Sequence, residues 1–247
     1  MSEAQNTQLH SYLPNLTSSK LIKFCYFILV ALLYSCGDSK TENTTEVLQT
    51  ETQIETTVTS LSKSKTILCF GDSITAGYGL DDTNDAYPAI LQQTIDSLNL
   101  DYTVINSGVS GETSAGGKSR IDWVIKQNPT IFLLELGAND GLRGVPLTET
   151  KANLQAIIDV VKDKSPETMI VLAGMELPPN MGLEYTTEFR QLFADLAMVN
   201  NITFIPFILE EVGGIAALNQ SDGIHPNVEG HKLVAGTVWD VLSPLVK

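Results

Sequence analysis

From residue 66 onward the chain alternates between two hydrophobic patterns. Short, near-continuous apolar runs rich in Ile, Leu, Val and Phe fall at 66–70, 102–106, 131–136, 169–173 and 202–206. Between them, apolar residues recur at helical spacing over 86–98, 114–127, 148–164 and 185–199, and a last such stretch covers 228–242. The first pattern predicts strands and the second helices. Strands that are apolar throughout need cover on both faces, and strict alternation with helices makes successive strands parallel. The expectation is a single α/β domain over 66–247. It is a three-layer, flavodoxin-like fold: a five-stranded parallel sheet with helices on both faces. Ligands of such sheets bind beyond the carboxyl ends of the strands, where the strand order reverses.

Upstream of residue 66 the pattern changes. Lys20 and Lys23 precede an apolar run at 24–34, followed by "LYSCGDS" at 33–39. That run is well short of the roughly 18 residues needed to span a bilayer and has the layout of a secretory signal. "LYSC" resembles the lipobox of bacterial lipoproteins, in which the cysteine becomes the lipidated first residue. This predicts a removed signal segment at 1–35 and a lipid on Cys36. Residues 36–65 would then form a flexible Thr/Glu/Ser-rich tether, too poor in apolar surface to fold. The expected location is outside the cytoplasm, membrane-anchored through Cys36 and facing the periplasm or the cell surface. Cys25 would leave with the signal, so Cys69 is the one thiol expected in the domain and no disulfide is predicted.

Composition narrows the classes of function. The 247 residues carry 15 basic against 29 acidic side chains, a net charge of −14. With no basic stripe to neutralise phosphates, a nucleic-acid partner is not expected. The chain has neither G-x-S-x-G nor a G-x-x-x-x-G-K-[ST] loop, and with three histidines and no H-E-x-x-H no metal site is predicted.

Four polar segments follow strand positions. "CFGDSITAGYG" (69–79) carries Ser73 straight after the first apolar run, and "NSGVSGETS" (106–114) places glycines after the second. "ELGANDGLRG" (135–144) places Asn139 after the third, and "SDGIHPN" (221–227) holds Asp222 and His225 before the last helix. A serine hydroxyl becomes a useful nucleophile only with a base in reach. His225 is the expected base, with Asp222 as its partner, whereas His231 lies inside the last helix and reads as a surface or packing residue. The same loop also fits a plain turn leading into a helix. A flavodoxin-like carrier shares the strand and helix rhythm, and "GDSITAGYG" passes superficially for its phosphate loop.

The four segments, in this order, resemble the SGNH (GDSL) hydrolase superfamily over residues 66–245. They are most like its bacterial periplasmic thioesterase/protease/lysophospholipase and arylesterase group. The resemblance implies Ser73 as nucleophile, Asp222 and His225 as the other triad members, and an oxyanion hole from the N–H groups of Ser73 and Gly108 and the Asn139 amide. It implies an esterase acting through an acyl-enzyme on acyl esters or lysophospholipid-type substrates, with no metal or other cofactor. A monomer is expected. Met175, Leu177 and Pro178, after the fourth strand, are expected to line the acyl pocket. Glu176 among them should disfavour anionic groups. The alternatives are a non-catalytic acyl- or glycan-binding relative and the flavodoxin-like small-molecule carrier.

Overall fold

The computed structural model of the chain describes residues 65–246. The signal segment, Cys36 and the tether up to residue 64 lie outside the described residues. Lys65, expected to close the tether, is the first residue of a strand.

Five strands form one sheet: β1 (Lys65–Gly71), β2 (Tyr102–Gly108), β3 (Ile131–Glu135), β4 (Met169–Ala173) and β5 (Thr203–Ile205). All neighbours are parallel, as the hydrophobic pattern predicts, and the order is β2-β1-β3-β4-β5, that of the expected flavodoxin-like fold. β1 and β2 each run on past the end of their apolar runs to a glycine, β1 directly to Gly71 and β2 through Ser107 to Gly108, because the two strands pair along their whole length. β5, at the sheet edge, is shorter than its apolar run.

The helices are α1 (Ser73–Ala76), α2 (Tyr87–Ser97), α3 (Ser114–Val124), α4 (Ala138–Leu142), α5 (Leu147–Lys164), α6 (Leu183–Asn200) and α7 (Val228–Leu242). α2 packs with α7, while α3 packs with α5 and α5 with α6. With right-handed crossovers this puts two long helices on one face of the sheet and three on the other. α3 ends at Val124 and its predicted remainder is a 3₁₀ turn, closed at Asn128 in the left-handed conformation. The short α1 and α4 have no counterpart in the hydrophobic pattern, since four or five residues cannot show a period. The core is the sheet itself: Ile67 to Phe70, Ile131 to Leu134 and Val171 to Ala173 are inaccessible to solvent.

The carboxyl edge of the sheet is unusually tight. Pairing aligns Gly108, Gly71 and Glu135 in one row across β2, β1 and β3. Neither glycine has the positive φ that favours glycine, so both are small for lack of space. A Cβ on Gly71 would sit 2.1 Å from Thr75 Oγ1 and 2.4 Å from Glu135 Oε2. A Cβ on Gly108 would sit 2.2 Å from the Ala76 nitrogen, in the backbone of α1. Gly108→Ala must therefore push α1 off the sheet edge, and a loss of about 1–3 kcal/mol is expected on urea unfolding, as for other overpacked sites. An unchanged midpoint would show that α1 is free to move.

Candidate active site

α1 starts directly after β1, so Ser73 stands at the first helical position, where backbone N–H groups have no partner within the helix. Asp72 caps this turn: its Oδ1 accepts from the Ile74 N–H at 3.1 Å. Asn106, at the end of β2, donates its amide to the Thr75 carbonyl at 2.8 Å and accepts from the Gly108 N–H at 2.9 Å. Asn106 thus ties α1 to β2, and the Gly108 N–H expected to face an oxyanion is already shared with this side chain.

The loop before α7 reaches Ser73 from the far end of the chain. His225 Nε2 lies 2.9 Å from Ser73 Oγ, and His225 Nδ1 lies 2.7 Å from Asp222 Oδ2. A carboxylate only accepts, which assigns the proton to Nδ1 and leaves Nε2 to accept from the serine hydroxyl. Asp222 Oδ1 also accepts from the Ile224 and His225 N–H groups at 2.9 and 3.1 Å, in a turn that Gly223 makes with φ 71°. Partial burial raises the Asp222 pKa, but the His225 ring and these two N–H groups outweigh it and bring it down to about 2. The carboxylate therefore stays charged at any working pH.

Two further contacts hold this loop in place. Gln220 donates to the carbonyls of Tyr78 (2.6 Å) and Pro226 (3.0 Å), stitching the loop to the segment after α1. The Tyr78 ring stacks obliquely on the His225 ring at a centroid distance of 4.8 Å. His231 is buried; its Nδ1 accepts from the Tyr87 N–H at 3.3 Å, and burial, aided by His225, lowers its pKa to about 4. It is a neutral packing residue.

Asn139 follows β3 in α4. Its Nδ2 donates to Asp72 Oδ2 at 3.0 Å and its Oδ1 accepts from Arg143 at 3.2 Å, so the amide is fixed at both ends with one N–H to spare. The buried Asp140 anchors the same helix, accepting from the Ser114 N–H (2.8 Å) and hydroxyl (2.5 Å) at the start of α3. Asn106, Asp140, Gln220 and Tyr78 were not singled out from the sequence. The signal for Asn106 and Asp140 was present, since each stands within two residues of a glycine inside a segment that was.

Ser73, Asn139 and His225 open into one pocket of about 460 Å³. Its walls include Met175, Leu177 and Pro178, together with Leu142, Phe207 and Ile224. Met175 and Leu177 are buried, and Leu177 occupies the space that a Cβ on Gly141 would need. Glu176 also lines the pocket, but Arg190 of α6 lies 3.4 Å away and offsets its charge. A mostly apolar groove thus ends at a serine, a histidine and an amide donor.

Residues 69–233 match the GDSL-like Lipase/Acylhydrolase family. The chain is 36% identical over 190 residues to Esterase TesA of Pseudomonas aeruginosa, covering 76% of this chain and 93% of that one. It is 36% identical over 182 residues to Thioesterase 1/protease 1/lysophospholipase L1 of Escherichia coli K12, covering 73% of this chain and 85% of that one. Among solved structures, the psychrotrophic esterase EstA from Pseudoalteromonas sp., inhibited by monoethylphosphonate, superposes with a TM-score of 0.69. That likeness carries 34% identity and covers 73% of this chain and 98% of the esterase. On the family match, these identities and the fold, the chain belongs to the GDSL-like lipase/acylhydrolase family.

Proposed function

We propose that the protein is a serine ester hydrolase working through Ser73, His225 and Asp222. The observation that carries this reading is the continuous chain from Ser73 Oγ through both nitrogens of His225 to Asp222, at 2.9 and 2.7 Å. His225 Nε2 takes the hydroxyl proton as Ser73 attacks an acyl carbonyl, and charged Asp222 stabilises the imidazolium. The spare Asn139 N–H and the Ser73 N–H bind the oxyanion, with the Gly108 N–H joining once it turns from Asn106. The tetrahedral intermediate collapses as the imidazolium protonates the leaving alcohol. Water, deprotonated by His225, then releases the acid from the acyl-enzyme. The esterase and lysophospholipase names of the relatives agree with this reading. The carrier alternative leaves the Ser73–His225–Asp222 chain without a role.

Ser73→Ala and His225→Ala should each lower kcat by several orders of magnitude, and the double variant should be scarcely worse, because residues acting as one unit are far from additive. Steady-state hydrolysis of an aryl ester checks this; losses that multiply would break the pairing.

The substrate class follows from the groove. Acyl esters and single-chain lysophospholipids fit an open apolar channel flanked by Met175, Leu177 and Pro178. Each methylene buried there contributes about 0.8 kcal/mol, roughly fourfold in kcat/KM. kcat/KM should climb with acyl length and then level off, and Leu177→Ala should move the plateau to longer chains. A profile that Leu177→Ala leaves unchanged would place the acyl chain elsewhere.

The sequence also supports attachment to a membrane through a lipidated Cys36. Cys36→Ser should then shift the protein from the membrane to the soluble fraction with unchanged kcat on soluble esters. Full-length, unlipidated wild type by intact mass would rule this out.

A further inference from the structure

Beneath Ser73 lies a polar cluster for which the triad has no use. Glu135, the last residue of β3, is completely buried in the row with Gly71 and Gly108. Its Oε2 accepts from the Asp72 N–H at 3.2 Å and from the Thr75 hydroxyl at 2.8 Å, and that hydroxyl also meets the buried Tyr87 OH at 2.9 Å. Its Oε1 is buried with no hydrogen-bond partner among the described residues. The groups facing Glu135 are Cys69 from β1, Asp72 and Thr75 from the α1 turn, and Tyr87 from α2, all neutral or acidic. A carboxylate with a bare buried oxygen, no cation and a second carboxylate beside it is far costlier than the neutral acid.

The second carboxylate is Asp72, itself buried. Its two oxygens are spent on the Ser73 turn, through the Ile74 N–H, and on the Asn139 amide. Asp72 is therefore the part that aims the proposed oxyanion donor, and it does so best when charged.

We propose that Glu135 is a positioning residue that stays protonated beneath the Ser73 turn. The Glu135–Asp72 pair then carries a single negative charge, held on Asp72, where it fixes the Asn139 amide. This rests on the hydrolase reading above. The electrostatics agree: burial, then the Asp72 charge, hold Glu135 well above the usual carboxylate range. Burial also pushes Asp72 up, but only to about 6, because the Ile74 N–H, the Asn139 amide, the pull of His225 and a hydrogen bond with Glu135 favour its charged form. The thiol of Cys69, pushed by burial to about 12, keeps its own proton and adds no charge beside the pair.

The test compares E135A, E135Q, N139A and E135A/N139A with the wild type. Misplacing a group by about 1 Å can cost about 10²-fold. E135A should therefore lower kcat on the order of 10- to 100-fold with KM little changed, within the roughly 10²- to 10³-fold expected of N139A. The double variant should match N139A alone, because Glu135 acts through that amide. E135Q keeps a neutral donor and acceptor in the same shape and should recover most of kcat. Wild-type kcat in E135A, losses that multiply in the double variant, or an E135Q as impaired as E135A would each overturn the proposal.

A second readout needs no catalysis. A raised native pKa means that the folded protein holds a proton that the unfolded chain releases. The wild type therefore loses stability as pH rises above the ordinary 4.5 of Glu135. E135Q has no such proton, so the Tm gap in its favour should widen from acid to alkaline pH. A constant gap, or one that narrows, would show Glu135 ionised and sink the inference, even if E135A failed to fold. Turnover by Ser73→Ala would instead sink the hydrolase reading, and the melting comparison would still report the charge on Glu135.

Discussion

Ser73 and His225 are 152 residues apart, yet one 2.9 Å hydrogen bond joins them, and the rest of the site is arranged around it. The bond is made possible by the order of the sheet. β1 lies between β2 and β3, so the segments leaving these strands meet at one edge, where the direction of winding reverses. The loop before α7 then has to close over that edge. Gln220 does this through two backbone carbonyls, one on each side of the gap, while the turn at Gly223 sets Asp222 behind the imidazole.

The floor of the site is as constrained as its rim. Gly71 and Gly108 let the backbone of α1 and the Glu135 side chain come closer than any Cβ would allow. Asn106 then binds both α1 and β2, and Asp140 binds α4 to the start of α3. The α1 turn and α4 are therefore each fixed by side-chain hydrogen bonds to a neighbouring element, and only the loop with Asp222 and His225 relies on its own turn and on Gln220. Such contacts hold groups in place at the cost of burying polar and acidic atoms.

Most of the architecture was legible in the residues. Both-face apolar runs such as Ile131 to Leu134 have one stable environment, the middle of a covered parallel sheet, and amphipathic stretches between them have to cross over it. The local pieces of the site were legible for a similar reason: Asp222 and His225 are three residues apart, and a turn is enough to bring them together. What escaped notice depends on pairings between distant residues. Glu135 reads as the end of an apolar run until register places it beside Gly71, and Arg190 reads as a surface residue of α6 until it meets Glu176. Gln220 offers no hint that it bonds a carbonyl 142 residues away. α1 and α4 leave no trace in the hydrophobic pattern because four or five residues are little more than one turn, too few to repeat a period; Asp72 caps α1, and Asp140 ties α4 to α3.

The central claim is that Ser73 is a nucleophile activated by His225. It is tested most directly by treating the purified protein with a reactive alkyl phosphonate and locating the adduct by peptide mass spectrometry. The account predicts one adduct, on Ser73, forming rapidly in the wild type and very slowly in His225→Ala. No adduct, or an adduct on another residue, would contradict it.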